Sequence, residues 1–151
     1  ETIADNIALG LATNTEAITC AATQAALGSD LQVLPQGLDT VVGQRGIMLS
    51  GGQRQRVALA RALIRDADLV LLDDVLSAVD HGTEQALVSS LHAPEGEISP
   101  TVVIVSNRIS ALRHADNIVV LEDGAVVDQG THAELSQRPG LYQDILEGQR
   151  T

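Results

Sequence analysis

A short polar segment of the sequence combines residue types that bind phosphate. Ser50, Gly51 and Gly52 precede a stretch that predicts a helix from about Gly51 to Arg65. A helix N-terminus carries unpaired backbone N–H groups and the positive end of the helix dipole, and glycines let a ligand approach the backbone closely. Gln53 adds a side-chain amide. The segment is a candidate phosphate receptor; simple capping of the helix by Ser50 and Gln53, which have the capping-box spacing, is the alternative.

The charge distribution singles out the same region. Residues 40–65 contain five arginines and no acid, whereas the rest of the chain holds four arginines and all 20 acidic residues. On a helix, Arg54, Arg61 and Arg65 fall within a narrow stripe, because seven and eleven residues nearly close whole turns. A basic face beside a phosphate receptor is one interpretation, and a solvated basic face is the other.

Two adjacent carboxylates follow an apolar run. Residues 69–72 read Leu-Val-Leu-Leu, which predicts a buried parallel strand, and Asp73 and Asp74 come directly after it. The carboxyl end of a parallel strand is where α/β proteins bind ligands. Asp73 is therefore a candidate Mg²⁺ ligand through water, and Asp74 is a candidate base. The alternative is that both only cap a turn.

Composition excludes several classes of protein. All nine basic residues are arginine, so lysine chemistry and a phosphate loop of the form GxxxxGK[ST] are absent from these residues. Tyr142 is the single aromatic residue and the net charge is −11, which disfavours nucleic acid as a partner. The apolar runs are far shorter than the ~20 residues of a membrane helix. Cys20 is expected to pack as a small apolar residue. The spacing of the four histidines predicts no metal site; they are His81, His92, His114 and His132.

The remaining elements alternate between helices and strands, which predicts an α/β fold. Residues 1–12 read as short apolar turns, and a helix is predicted from Asn14 or Thr15 to Leu27. Residues 35–46 read as a glycine-rich loop and residues 93–100 as a second loop, while Asp80 is a candidate cap for a helix to Leu91. Further predictions are a buried strand at 101–105, a short helix at 109–114, a hairpin at 118–129 with an Asp-Gly turn, a capping box at Thr131 and Glu134, and a helix after Gly140.

The combined motifs resemble those of ATP-binding cassette (ABC) proteins. Residues 49–53 read LSGGQ and continue as RQRVALARAL, which resembles the family's signature motif and helix. The strand at 69–74 resembles Walker B, Ser77 to Asp80 resembles the D-loop, and Asn107 stands where the switch histidine belongs. The resemblance covers the whole chain. It implies a partial P-loop NTPase fold, with residues 1–66 as a helical subdomain and residues 67–151 as the back half of the sheet core with a terminal hairpin.

The resemblance also favours the exporter branch of the family. Residues 1–10 resemble the stretch after the exporter Q-loop, and Thr40, Gly43, Gln44, Arg45 and Gly46 lie in a segment like the X-loop, which touches the coupling helices of the membrane domain. Gln44 replaces the usual acid there. Because the chain starts at Glu1 and lacks the Walker A lysine, we expect it to be the back half of a nucleotide-binding domain. ATP and Mg²⁺ are the implied cofactors, in the complete domain.

Two departures from the family pattern affect one site. Asp74 stands where the catalytic glutamate belongs and is one methylene shorter, and Asn107 can accept or donate a hydrogen bond but cannot carry a proton as histidine does. The signature, in contrast, is intact. In ABC dimers a signature meets the nucleotide held by the partner. The pattern therefore predicts a heterodimeric exporter in which this chain's own Walker B site is degenerate and Ser50 to Gln53 serve the partner's site.

The predicted function is that of an ATPase of the translocase class, on the cytoplasmic face of the plasma or inner membrane as part of a membrane protein. Its implied partners are a second nucleotide-binding domain and the coupling helices of a transmembrane domain. Two alternatives stay open. One is a regulatory half that binds ATP without hydrolysing it, and the other is a soluble ABC protein outside transport.

Overall fold

The computed structural model describes residues 1–74, 81–91 and 100–149. The chain divides into two compact units, Glu1–Val103 and Ile104–Thr151. The described elements in chain order are α1 (Ile3–Ala8), α2 (Thr15–Gln24), α3 (Gly28–Val33), a 3₁₀ turn (Gly37–Asp39), α4 (Gly51–Leu63), β1 (Leu69–Asp73), α5 (His81–Ser90), β2 (Thr101–Val105), α6 (Ile109–Leu112), β3 (Ile118–Glu122), β4 (Ala125–Gly130), α7 (His132–Leu135) and α8 (Leu141–Gly148).

Helices α1, α2 and α4 pack against one another in the first unit. Helix α1 buries Ile3 and Ile7, four residues apart and therefore on one face. The buried face of α2 is made of alanines, which allow helix backbones to approach closely, and α4 buries Val57, Leu59 and Ala60. Arg61 adds a polar link, since its Nε donates to the backbone oxygen of Asn6 at 2.7 Å. These contacts fix the position of α4.

Strands β1 and β2 form a two-stranded parallel sheet. The prediction that both strands are buried was wrong for one face of each strand. Burial alternates along β1, where Val70 and Leu72 are buried while Leu69 and Leu71 are 57% and 65% exposed. Side chains alternate between the faces of a strand, so one face of β1 is buried and the other is left uncovered by the described residues. In β2, Val103 and Val105 are likewise exposed.

The second unit is built on the β3–β4 hairpin. Asp123 and Gly124 both have positive φ, of 49° and 79°, as the predicted two-residue turn requires. The pairing is antiparallel and irregular between Val120 and Leu121. Its core cluster comprises Ile109, Ile118, Val120, Leu135 and Tyr142. Helix α8 contributes Leu141, Ile145 and Leu146 around this cluster, so the unit's last helix is packed in place.

Several local predictions were confirmed. Asn14 caps α2 through its Oδ1, and the capping boxes at Ser50 and at Thr131 both form. Strands and helices occur where predicted at 69–73, 101–105, 109–112 and 141–148. Two further predictions fall outside the described residues. They are Asp80 as a helix cap and most of the loop at 93–100.

Other local predictions were wrong. Residues 3–8 form a helix rather than turns, because Thr2 and Asp5 make a capping box. The helix predicted to reach Leu27 stops at Gln24, and Gly28 begins a separate helix, α3. Cys20 is exposed rather than packed, since α2 turns its neighbours Ala21 and Ala22 toward the interior. The first two errors concern where a short helix begins or ends, and the third concerns which face of a helix its neighbours cover.

Candidate functional site

The signature-like segment forms a capped helix start. Ser50 is the N-cap of α4 in an extended conformation, with φ −62° and ψ 167°. Its Oγ accepts from the Gln53 backbone N–H at 3.2 Å, and Gln53 Oε1 accepts from the Ser50 N–H at 2.9 Å. The capping alternative raised by the sequence is therefore realised. It does not exhaust the site, because the Ser50 hydroxyl can still donate its own hydrogen.

The N–H groups of Gly51 and Gly52 are the first two of the helix and have no acceptor within it, as in every α-helix. Ser50 and Gly51 are exposed. A Cβ built on Gly51 would lie 4.0 Å from Arg54, whose guanidinium donates to the Leu49 carbonyl oxygen at 2.7 Å. A hydroxyl, two backbone donors and a nearby cation are thus presented to solvent at one helix end. This arrangement can accept an anionic oxygen.

The predicted arginine stripe divides into different environments. Arg54 and Arg65 are exposed, whereas Arg61 is half-buried and donates to Asn6 of α1. Arg61 therefore holds two helices together, and the stripe is not a single solvated face. Arg54, beside Gly51, is the member of the stripe that lies at the helix start.

One residue that sequence reasoning missed contacts the signature directly. Asp30, on α3, accepts from Gln53 Nε2 with Oδ1 at 3.1 Å and from Arg56 with Oδ2 at 2.9 and 2.6 Å. The contacts join residues 23 and 26 positions apart in sequence. No local spacing rule covers such a distance. The lone acid in an otherwise uncharged stretch from 17 to 38 was the only signal available.

Asp73 and Asp74 lie where the sequence predicted, at the carboxyl end of β1. Asp73 is the last residue of the strand, and both residues are exposed. Asp74 has φ 51°, in the left-handed region that aspartate tolerates better than most residues. The chain thus turns sharply at the position of the candidate base. An exposed single carboxylate at Asp73 suits Mg²⁺, which commonly binds one or two carboxylates together with substrate phosphates.

Asn107 follows β2 in the second unit, in a loop that is fastened from the far end of that unit. Its backbone oxygen accepts from Gln149 Nε2 at 2.6 Å, and Gln149 Oε1 accepts from the Ile109 N–H at 3.0 Å. Ser106 Oγ accepts from the Arg108 N–H at 3.0 Å. The side chain of Asn107 is exposed. Gln149 is a second residue that the sequence did not single out, 42 positions away from Asn107.

The X-loop-like segment is a closed surface loop. Thr40 is buried, and its carbonyl oxygen accepts from the Ile3 N–H at 3.1 Å. The Val42 N–H donates to the backbone oxygen of Glu1 at 3.0 Å. The loop closes where the Ile47 N–H donates to the Val41 oxygen at 2.9 Å. Gln44 and Arg45 are exposed at its tip, between Gly43 and Gly46. The segment therefore has a fixed base and a polar tip.

Gly46 is required by this loop. A Cβ at residue 46 would lie 2.2 Å from the Val41 carbonyl oxygen, a backbone atom that cannot rotate away. We expect Gly46→Ala in the full-length protein to cost about 1–3 kcal/mol, the usual range for overpacking. Thermal unfolding and hydrogen exchange at the Ile47 N–H measure the effect. Gly28→Ala is the control, since a Cβ there meets nothing within 4 Å. Unchanged melting and unchanged Ile47 exchange in Gly46→Ala would contradict the loop geometry.

The other predicted site residues, Ser77 and Asp80, lie outside the described residues. Asp73 and Asp74 belong to the first unit and Asn107 to the second, and each is described within its own unit. Within residues 1–74, 81–91 and 100–149, no helix is long and apolar enough to cross a membrane. The same part of the chain holds no cluster of three metal-binding side chains.

Comparison with known proteins points to one family, that of ABC transporters. The sequence model of the ABC transporter family matches residues 2–77. The chain is 43% identical over 151 residues to the multidrug resistance-like ATP-binding protein MdlA of Escherichia coli (strain K12), covering 99% of this chain and 25% of that protein. It is 45% identical over 147 residues to the ATP-dependent lipid A-core flippase of Vibrio vulnificus (strain YJ016), covering 96% of this chain and 25% of the flippase.

A solved structure agrees in fold. The structure of a bacterial Atm1-family ABC exporter with ATP bound superposes with a TM-score of 0.89 at 39% identity, covering 100% of this chain and 26% of that one. The chain thus spans about a quarter of the length of the relatives it matches. Its fold is a partial P-loop NTPase fold of the ATP-binding cassette type. It belongs to the ABC transporter family, and it matches the ATP-binding domain of exporters in that family.

Proposed function

We propose that this chain is part of an ABC exporter subunit that couples ATP binding and hydrolysis to export across a membrane. The observation that carries the proposal is the start of α4. Ser50 is held in an extended conformation by its capping box, and its hydroxyl and the N–H groups of Gly51 and Gly52 are available to an anion. The relatives supply the context, since the matched proteins include an ATP-binding protein, an ATP-dependent flippase and an exporter with ATP bound.

The signature is assigned to a nucleotide held by a second nucleotide-binding domain. Ser50, Gly51 and Gly52 would donate hydrogen bonds to its phosphate oxygens, and the dipole of the 13-residue helix α4 would favour the negative charge. Ser77 and Asp80 would form the D-loop at the same dimer interface. The partner would be a different subunit or a fused second half. The assembly would then be a heterodimer whose two nucleotide sites differ.

This chain's own site is assigned to Asp73, Asp74 and Asn107. Asp73 would hold Mg²⁺ through water, and the ion would supply charge neutralisation to the phosphates when bound. Asp74 would polarise the attacking water, and Asn107 would donate a hydrogen bond to the terminal phosphate. Aspartate is shorter than the family's glutamate and asparagine cannot carry a proton, so hydrolysis at this site would be weak.

The loop from Thr40 to Gly46 is assigned to the contact with the coupling helices of a transmembrane domain. Its support is the closed geometry, in which a hydrogen-bonded base presents Gln44 and Arg45 at an exposed tip. With Gln44 in place of an acid, the contact would rest on hydrogen bonds and on the charge of Arg45. The domain would then lie on the cytoplasmic face of the plasma or inner membrane.

A regulatory half that binds ATP without hydrolysing it is the second candidate function. The presence of both Asp74 and Asn107 in the sequence favours it for this chain's own site, because each replacement would weaken the same reaction. A soluble ABC protein outside transport is less well supported, since the X-loop-like segment and the net charge of −11 are unlike those expected for that class.

Cysteine cross-linking tests the assignment of the signature. In the full-length transporter carrying Cys20→Ala, a Ser50→Cys substitution should form an ATP-dependent cross-link to a cysteine placed in the partner's phosphate-binding loop. The native Cys20 is the control, because it is exposed on α2 and should give no such cross-link when Ser50 is retained. Cross-linking of residue 50 to the same extent with and without ATP, or only within one subunit, would contradict the proposal.

A further inference from the structure

We propose that Asp30 is a positioning residue for the signature, acting through the Gln53 side chain. The inference rests on the proposed role of Ser50 to Gln53 in the partner's nucleotide site. Asp30 lies on α3 (Gly28–Val33), a short helix that buries none of its own residues. Its carboxylate is nonetheless only 14% exposed, because it is turned toward α4. Polar contacts of Asp30 therefore attach α3 to α4, whereas other helices of this unit pack through buried apolar side chains.

The two carboxylate oxygens have separate partners. Oδ2 accepts hydrogen bonds from Nε and from a terminal nitrogen of Arg56, at 2.9 and 2.6 Å, and Oδ1 accepts one from Gln53 Nε2 at 3.1 Å. Arg56 is itself 14% exposed, so the ion pair is well shielded from solvent. Arg56 neutralises Asp30, which leaves no net negative charge beside a helix end that is assigned to phosphate. The pair can thus lie near the signature without repelling its ligand.

Gln53 transmits this constraint to Ser50. Its Nε2 is held by Asp30 while its Oε1 accepts from the Ser50 N–H at 2.9 Å. The amide is therefore fixed at both ends, and the Ser50 backbone is fixed with it. The direction of the Ser50 hydroxyl and of the first N–H groups of α4 depends on that backbone. Without Asp30, the Gln53 amide would be held only through its contact with the Ser50 N–H, and that capping contact would loosen.

Steady-state ATP hydrolysis by the full-length transporter tests the inference. Asp30→Asn keeps the side-chain volume but leaves one acceptor oxygen for the three donor nitrogens of Gln53 and Arg56. It should lower kcat by roughly 10- to 100-fold, the size of effect that a small misplacement produces, while KM for ATP changes little. Asp30→Glu should restore part of the activity, because both acceptor oxygens return. The control is Asp128→Asn, which breaks a second aspartate–arginine pair, with Arg138.

A double-mutant cycle separates positioning from plain stabilisation. If Asp30 acts through Gln53, then Asp30→Asn should have no further effect on kcat in a Gln53→Ala background. Additive losses, or an Asp30→Asn enzyme with the kcat of the wild type, would overturn the inference. The proposed function fails differently: in that case Gln53→Ala and Ser50→Ala themselves would leave hydrolysis unchanged. Melting temperatures measured in parallel identify any variant that is merely unfolded.

Discussion

Ser50→Ala should reduce steady-state ATP hydrolysis by the full-length transporter by about 100- to 1000-fold, the usual cost of removing a transition-state hydrogen-bond donor. The substitution removes the hydroxyl that we assign to the phosphate of the partner's nucleotide. It also removes the Oγ that accepts from the Gln53 N–H, so some loss of stability is expected as well. Capping losses are typically about 0.5–2 kcal/mol, which alone does not explain so large a fall in rate.

Thr131→Ala is the matched control for this prediction. Thr131 caps α7 with the same reciprocal geometry, its Oγ1 accepting from the Glu134 N–H at 3.3 Å, but it belongs to the second unit. It should lower stability by a similar amount and leave the rate of hydrolysis unchanged. Equal losses of activity in the two variants would show that the cap, rather than the phosphate contact, carries the effect of Ser50→Ala.

Gly51→Asp tests the same site by steric and electrostatic means. The new carboxylate would stand beside exposed N–H groups at the helix start and would repel phosphate. Gly28→Asp is its control, because Gly28 is also the first residue of a helix and a Cβ there has open space around it. We expect loss of hydrolysis in the first variant only.

Asp74→Asn should leave total hydrolysis nearly unchanged, in contrast to Ser50→Ala. A displacement of about 1 Å in a catalytic group can slow a reaction by about 100-fold, so a site with a shortened carboxylate would carry on the order of 1% of turnover. The partner should carry glutamate after its Walker B aspartate and histidine in its switch loop. Nucleotide trapping, with each site disabled in turn, measures the share of each site.

Restoring the family residues in this chain should have a limited effect. Asp74→Glu combined with Asn107→His should raise hydrolysis by at most about twofold, since a second site can at best equal the first. The left-handed φ of 51° at residue 74 adds a cost, because glutamate tolerates that conformation less well than aspartate. If Asp74→Asn abolished turnover, or if the chain formed a fully active homodimer, the asymmetric assignment would be wrong and Asp74 would be a competent base.

The capping boxes at Ser50 and Thr131 and the Asp123-Gly124 turn were predictable from sequence because each depends on residues within four positions of one another. The capping box at Thr2 obeys the same rule, with aspartate at the third position in place of glutamate, and could have been found. The candidate phosphate receptor and the strand-end carboxylates follow from the same kind of local pattern.

The contacts that orient the site residues were not predictable in this way. Asp30 meets Arg56, and Gln149 meets Asn107, across 26 and 42 residues. Such pairs depend on how helices pack, which no short spacing records. The exposure of Leu69 and Leu71 has a similar origin, because an apolar run does not reveal which face of a strand its neighbours cover.

The hydrogen bonds of Gln149 have a consequence for the order of synthesis. Backbone groups of Asn107 and Ile109 receive contacts from a residue that is translated 42 and 40 positions later, respectively. At about 5–20 residues per second, the ribosome needs roughly 2 to 8 s to cover that distance. During this interval β2 and Asn107 have been made, but the side chain that fastens the loop does not yet exist. The nascent chain can therefore complete this loop only near the end of its second unit, after α8 has been translated.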